Sequence, residues 1–312
     1  MRERKTHHLS NSPTVAEIPL ACSNELAAVE FIEKQRWGND PHCIHCGSVD
    51  VYKMTDRKTG ERNKRFLWRC NDCKKQYTVR VGTVYEETRL PLRHWCYAFW
   101  RMATSKKGVA ALELKRQLNI SYTSALFLAN RIRFAMSPDV ETAPKLTGTV
   151  ECDEVYIGGK PRPGTGKHKR GRGTSKTPVF VAVERDGQIR RRVVADVSGA
   201  TLKSAIRELV DTSANLMTDE NNAYNGLAPE FASHETVCRG TKEYARGNVH
   251  TNTAESSNAL VKRGLMGIYH NLSKEYLHRY LWQWDLCWNN RYMNDGERTV
   301  AAIQSAEGKR LM

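Results

Sequence analysis

The spacing of apolar positions changes character several times along the chain. After a polar, unpatterned stretch at 1–22, Leu26, Ala27, Val29, Phe31 and Ile32 crowd together ahead of Trp37, which predicts a short helix within 23–40. Over 49–84 the texture is that of β-structure. Arg65-Phe66-Leu67-Trp68-Arg69-Cys70 and Gln76-Tyr77-Thr78-Val79-Arg80-Val81 read as strands, with turns at Gly60 and Asn71-Asp72. Over 91–136 the period lengthens. Pro91 suits the first position of a helix, and Trp95, Phe99 and Met102 follow at helical spacing. A second helix covers 109–118, Asn119-Ile120-Ser121 makes a break, and a third begins near Ser121 with Leu126, Leu128, Ile132 and Phe134. Two short helices about a tight break resemble a helix-turn-helix. Pro138 and Pro144 mark a linker.

From Gly148 strands and helices intermingle, which predicts an α/β class. Strands are expected at 149–157, 178–184, 188–197, 214–218 and 234–239, with the turn Asp186-Gly187 between the second and third. Helices are expected at 201–210, 252–265 and 274–289. In the last, Leu277, Leu281, Trp284 and Trp288 recur at helical spacing, so these residues are read as core rather than as base-stacking rings. The expected organisation is a flexible tail at 1–22, a short helix at 23–40, a cysteine-bearing β segment at 41–84, and a helical segment with linker at 85–147. A mixed-sheet core at 148–270 and a C-terminal helical extension at 271–312 complete it.

Composition narrows the partners. Lys and Arg number 49 against 34 Asp and Glu, a formal net charge of +15. Such an excess points to a polyanion, above all nucleic acid, although charge alone also fits a ribosome-associated or merely soluble basic protein. No apolar run approaches the ~18 residues of a membrane span, and 1–22 lacks the pattern of a signal peptide. A cytoplasmic protein with no membrane partner is expected. The odd cysteine count, nine, argues against a secreted disulfide framework.

Cys43-x2-Cys46 and Cys70-x2-Cys73 lie 23 residues apart. Each C-x2-C turn presents two thiolates to one side of an ion, and a hairpin between the turns completes the tetrahedron that zinc prefers. This predicts a zinc ribbon with a structural ion, since four sulfurs leave no open position. A redox pair would want one C-x-x-C beside a βαβ pattern. His42 and His45 are read as bystanders, and Cys22, Cys96, Cys152, Cys238 and Cys287 as unliganded.

Three acids stand out by position. Asp153 lies in the apolar strand Thr149-Val150-Glu151-Cys152-Asp153-Glu154-Val155-Tyr156-Ile157, Asp219 closes the strand Leu216-Met217-Thr218-Asp219, and Glu255 opens the helix after His250-Thr251-Asn252-Thr253-Ala254. Singly, each has a plain structural reading: an edge strand's solvent face, a helix N-cap, and a capping box with Asn252. Together they order as strand acid, strand-end acid and helix acid. Neighbouring strand ends meet at one edge of an open sheet. Three carboxylates there would bind hard divalent cations such as Mg²⁺, the ions that clamp a phosphodiester during its cleavage. Glu151 and Glu154 compete with Asp153; alternation puts Glu151 on the Asp153 face and Glu154 opposite.

These strings resemble the RNase H-like core of DDE transposases, and more closely the IS1595 (ISXO2-like) insertion-sequence transposases. Glu151–Lys160, Thr218-Asp219 and His250–Ser256 carry the resemblance. It extends over roughly 24–300, because that family also places a cysteine ribbon and a helical segment before the core. The resemblance implies that Asp153, Asp219 and Glu255 hold two Mg²⁺ ions, with Mn²⁺ a possible substitute. The 35 residues between Asp219 and Glu255 fit the D,D-35-E pattern, and Lys262, seven residues past Glu255, matches the family's basic residue. Seven residues are nearly two helical turns, so Lys262 shares a face with Glu255 and is placed to reach a DNA phosphate, with Asn258 between them. The implied reaction is cleavage at transposon ends followed by attack of the freed 3′-OH on target DNA. The implied partners are terminal inverted repeats, target DNA and a second copy of the chain or more. A domesticated DNA-binding protein with an inactive core, or an RNase H-fold nuclease, are the rivals.

DNA contacts are expected from Lys167, Lys169, Arg170 and Arg172 in the basic loop beside the first strand. Arg131 and Arg133 on the third helix of the helical segment, and Asn252 and Asn258 on the Glu255 helix, are further candidates.

Overall fold

The computed structural model describes residues 13–139, 143–158, 174 and 176–310. The chain divides into two compact units, one of 1–105, 111–136 and 290–312, the other of 106–110 and 137–289.

The first unit holds α1 (Pro13–Ser23), α2 (Glu25–Trp37), a three-stranded antiparallel sheet of β1 (Val51–Lys53), β2 (Trp68–Cys70) and β3 (Gln76–Tyr77), and then α3 (Leu92–Thr104), α4 (Ala111–Leu118) and α5 (Tyr122–Ala135). Asn24 caps α2 by accepting the Ala27 N–H at 3.1 Å, and Gly38, at φ +59°, ends it. Val29, Phe31, Ile32 and Trp37 are buried. Buried Glu33 on the same helix accepts bonds from Arg62 and, at 2.7 Å, from Trp68 Nε1, which ties α2 to the small sheet. Trp68 and Trp37 meet edge to face at 5.5 Å.

Two expectations at the chain ends need correction. Of the tail expected at 1–22, the described part is helix α1, whose Ile18 and Ala21 are buried; its short apolar side gave too few repeats to register as a period. At the other end, 271–312 is not one extension. Its first helix, α8 (Leu277–Asn289), belongs to the second unit, and α9 (Asp295–Gln304) to the first, where it packs on α3. The start of α9 was legible: Asn294 and Glu297 form a capping box, which is a sequence signature.

The second unit is a five-stranded sheet in the order β6 (Ile189–Val193), β5 (Thr177–Glu184), β4 (Thr149–Ile157), β7 (Asn215–Asp219) and β8 (Ser233–Val237). β4, β5 and β6 run antiparallel, while β4, β7 and β8 are parallel. This is the mixed α/β sheet of an RNase H-like core. Alternation along β4 and β5 sorts the two cores. Val150, Cys152, Phe180 and Ala182 pack with Leu202 and Ile206 of α6 (Gly199–Leu209). Val155, Ile157, Val179, Val181 and Val183 pack on the other face with Ala254 and Val261 of α7 (Asn252–Gly264) and Leu277, Leu281 and Trp284 of α8. Lys106–Ala110 joins this unit through close approach: Val109 N–H donates to Tyr269 Oη at 3.0 Å, and a Cβ on Gly108 would lie 2.1 Å from that oxygen. Among the described residues, no helix is long and apolar enough to cross a membrane.

Asp285 on α8 accepts the Arg191 backbone N–H at 3.0 Å and pairs with its guanidinium, fixing α8 to β6. Burial pushes the Asp285 carboxyl up, against the pull of Arg191. Removing one partner of a buried pair strands the other. Asp285→Ala is therefore expected to cost about 3 to 5 kcal/mol, and Asp285→Leu with Arg191→Met much less. Urea denaturation curves of both variants check this.

Candidate active site

Two clusters of ligand-type side chains stand out among the described residues. The first is Cys43, Cys46, Cys70 and Cys73, whose sulfurs all lie within 4.8 Å of one another. Cys43 Sγ is 3.6 Å from Cys73 Sγ, and Cys46 Sγ 3.7 Å from Cys70 Sγ. The β1–β2–β3 hairpins bring the two C-x2-C turns face to face. At the first turn, Gly47 takes φ +77° and its N–H bonds the Cys43 carbonyl. Four converging thiols and no other donor fit a structural zinc ion. His42 and His45 are outside this group; the His42 carbonyl instead accepts the Tyr77 hydroxyl at 3.0 Å.

The second cluster sits where the sheet opens. β4 and β7 pair through Thr149↔Asn215, Val150↔Leu216 and Glu151↔Met217, and there the ladder stops. β4 continues against β5 to Ile157, and β7 against β8 to Asp219. Between the parting strands lies the carboxyl-end crevice that open sheets offer at a change of strand order. Asp153, Glu154 and Asp219 each place a carboxylate oxygen there, all within 4.8 Å of one another. Asp219 Oδ1 accepts the Asn221 N–H at 3.1 Å, so this acid makes a turn rather than a helix cap. Glu154 Oε1 accepts from Tyr224 Oη at 2.7 Å and Asn221 Nδ2 at 3.2 Å. Burial, reinforced by the charge of Glu154, holds the Tyr224 phenol well above its usual range, so it stays a donor. Glu154 lies on the face of β4 opposite Asp153, as strand alternation puts it, beside Tyr224.

Glu151 competes for nothing in the crevice. It is fully buried, and its Oε2 accepts the backbone N–H groups of Thr253 (2.7 Å) and Ala254 (2.9 Å) at the start of α7. Oε1 takes Thr253 Oγ1 at 3.0 Å and Arg185 Nε at 2.7 Å. Arg185 also donates to the carbonyls of Asn248 and His250. The Asn252–Glu255 capping box is thus unnecessary: the cap comes from β4.

This anchor sets the level of α7 against β4. Two strand residues rise about 6.7 Å, and four helical residues about 6 Å. Asp153, two past Glu151, therefore meets Asn258, four past Ala254, and Asn258 Nδ2 donates to Asp153 Oδ2 at 2.9 Å. Asn258 is buried, which corrects its assignment as a DNA contact; its Oδ1 is buried with no hydrogen-bond partner. Glu255 lies one turn earlier and is exposed, outside the group of three acids. Lys262 and Asn252 are exposed on the same helix.

Two more DNA candidates are spent inside the first unit. Arg131 donates to the carbonyls of Val84 (2.9 Å) and Glu86 (2.6 Å), and Arg133 is buried. Each was read as a free basic side chain, but the carbonyls that hold Arg131 lie 47 and 45 residues upstream, beyond any local pattern. Lys167, Lys169, Arg170 and Arg172 lie outside the described residues.

Comparison with known proteins finds matches over both units. Residues 145–289 match the ISXO2-like transposase domain, and residues 23–76 the transposase zinc-ribbon domain of the same IS1595 group. A Halobacterium salinarum protein described as "Uncharacterized protein in transposable element ISH50" is 30% identical over 277 residues, 83% of this chain and 88% of its own length. The crystal structure of a pre-cleavage Mos1 transpososome aligns over 65% of this chain and 75% of its own, at 12% identity and a TM-score of 0.27.

Two variants test the two clusters. Glu151→Ala removes the cap and leaves Arg185 without its buried partner, so stability should fall by about 3 kcal/mol or more, with faster amide exchange across 252–256. Cys46→Ser should bring bound zinc well below that of the native protein, as metal analysis after gel filtration would show.

Proposed function

The chain belongs to the ISXO2-like (IS1595) family of transposases, and from that premise we propose that it cuts DNA at an element's ends and joins the freed 3′-OH groups to target DNA. The observation that carries this reading is the meeting of Asp153 and Asp219 at the open end of the β4–β7 ladder. Carboxylates that close repel one another, and the all-oxygen donor set suits Mg²⁺ or Mn²⁺. When bound, two such cations activate the attacking oxygen and stabilise the leaving one.

The protein's own part is placement. Asp153 and Asp219 hold the cations from two strand ends fixed by the sheet. Glu255 joins them from α7, one turn from Asn258. Lys262 is exposed two turns further along and takes a phosphate of the strand being cut. Arg185 and Glu151 bind no substrate; they keep α7 at its level. In the first unit, α4 and α5 are joined by three residues, and Ser121 caps α5 through the Ser124 N–H at 3.0 Å. Exposed Tyr122 and Thr123 at the start of α5, with Lys115 and Arg116 on α4, form the face that reads the terminal repeats. Because two ends must be joined together, the working form is a dimer or larger on DNA, in the cytoplasm at the nucleoid.

A strand-transfer assay tests the reading, with Mg²⁺, DNA flanking the encoding gene as donor and a supercoiled plasmid as target. Joined product is expected from the native protein and none from Asp153→Asn or Glu255→Gln. Specific, salt-sensitive binding to those ends without cleavage or joining by the native protein would instead identify a DNA-binding protein with an inactive core.

A further inference from the structure

We infer that Glu154 is a further acidic ligand of the cation site, beyond the set Asp153, Asp219 and Glu255; the inference rests on the transposase reading above. Asp153 and Glu154 are consecutive and project toward opposite faces of β4, yet an oxygen of each lies within 4.8 Å of the other and of Asp219. The end of the β4–β7 ladder makes this possible, because both faces of β4 reach the same open edge past Glu151.

Glu154 is held there from the loop that follows Asp219. Tyr224, 1% exposed, donates to Oε1 at 2.7 Å, and Asn221 Nδ2 to the same oxygen at 3.2 Å. Asn221 also donates its backbone N–H to Asp219, so one residue sets both acids. A brace alone would not need a charge, since a glutamine oxygen accepts the same two bonds. A third negative charge beside two others is costly unless a cation offsets it. With Glu255, four carboxylates match the charge of two divalent ions. A second observation points the same way: Asn258, 3% exposed and bonded to Asp153, has its Oδ1 buried without a hydrogen-bond partner. A buried acceptor of that kind is costly, and the water shell of a bound cation supplies donors for it.

The test is Mn²⁺ binding by the full-length protein without DNA, read from the electron paramagnetic resonance signal of free Mn²⁺, with thermal denaturation in chelator alongside. Asp153→Asn should abolish binding. Glu154→Gln should weaken it about tenfold or more while leaving the chelator melting temperature nearly native, because its amide oxygen still accepts from Tyr224. Native-like Mn²⁺ affinity in Glu154→Gln, with binding lost in Asp153→Asn, would overturn the inference and leave the cation site standing. Native-like affinity in Asp153→Asn as well would remove the reading on which it rests. Should Glu154→Gln be too unstable to titrate, Glu154→Met combined with Tyr224→Phe carries the test: it removes the carboxylate and the hydroxyl that would be left without an acceptor, and unchanged Mn²⁺ affinity there would overturn the assignment.

Discussion

Glu151 is sealed from solvent, and each of its bonds fixes another element relative to β4. A carboxylate in that position costs several kcal/mol in lost hydration, which only a full set of partners offsets. It has them: two backbone N–H groups and a hydroxyl of α7, and the guanidinium of Arg185. The N–H groups are those a helix leaves unpaired at its start, where the macrodipole favours negative charge. Arg185 extends the clamp to the backbone just before α7 through Asn248 and His250. The helix that carries Asn258, Glu255 and Lys262 is therefore positioned from the strand that carries Asp153. Strand and helix rises then decide which residues face each other.

The second constraint is where a sheet stops. Backbone pairing between β4 and β7 holds for three residues and then gives way. Had it continued, Asp153 and Glu154 would point to opposite sides of a continuous sheet, each among apolar neighbours. The parting creates an edge in the middle of the fold, with polar side chains on both sides and a hydrophobic core behind each. Repulsion among the gathered carboxylates makes the crevice a poor resting state without a cation. Its cost is borne by the apolar packing of β5 and β4 against α6 on one face and α7 and α8 on the other.

Much of this was legible in the sequence, for reasons that separate local from non-local information. The strands and helices of the core follow from periodicity, and the C-x2-C pairs from spacing with a single chemical use. Asp153 was legible because an acid inside an apolar strand is expensive, whereas Asp219 alone reads as a helix cap and stood out only through the order of the three acids and the family resemblance. The role of Glu151 was not: alternation gives its face but not that a helix start, about a hundred residues later, covers it. Glu154 is on the face that alternation gives it; what alternation could not show is that the β4–β7 ladder ends beside it, so that both faces of β4 open on one crevice. Arg131 shows the same limit for helices. Its spacing suited an exposed basic face, but its guanidinium sits on the Val84 and Glu86 carbonyls and over the Phe127 ring at 4.5 Å.

The faces of α7 then bear on how a site of this kind is assembled. Its inner face, with Ala254, Ser257, Asn258 and Val261, is buried against the sheet, while Glu255, Ala259 and Lys262 line the outer one. The two faces have different obligations. Inner residues are fixed by packing and by Asn258 on Asp153, so they define the shape of the crevice before anything binds. Outer residues are exposed, and packing constrains them less. Glu255 is one helical turn from Asn258, on the face that the helix leaves exposed. With Glu255 outside the group of Asp153, Glu154 and Asp219, the crevice has less charge crowded in it. On the function proposed above, the third acid and the phosphate contact of Lys262 would share one helix face, so that both would be set by one rigid element.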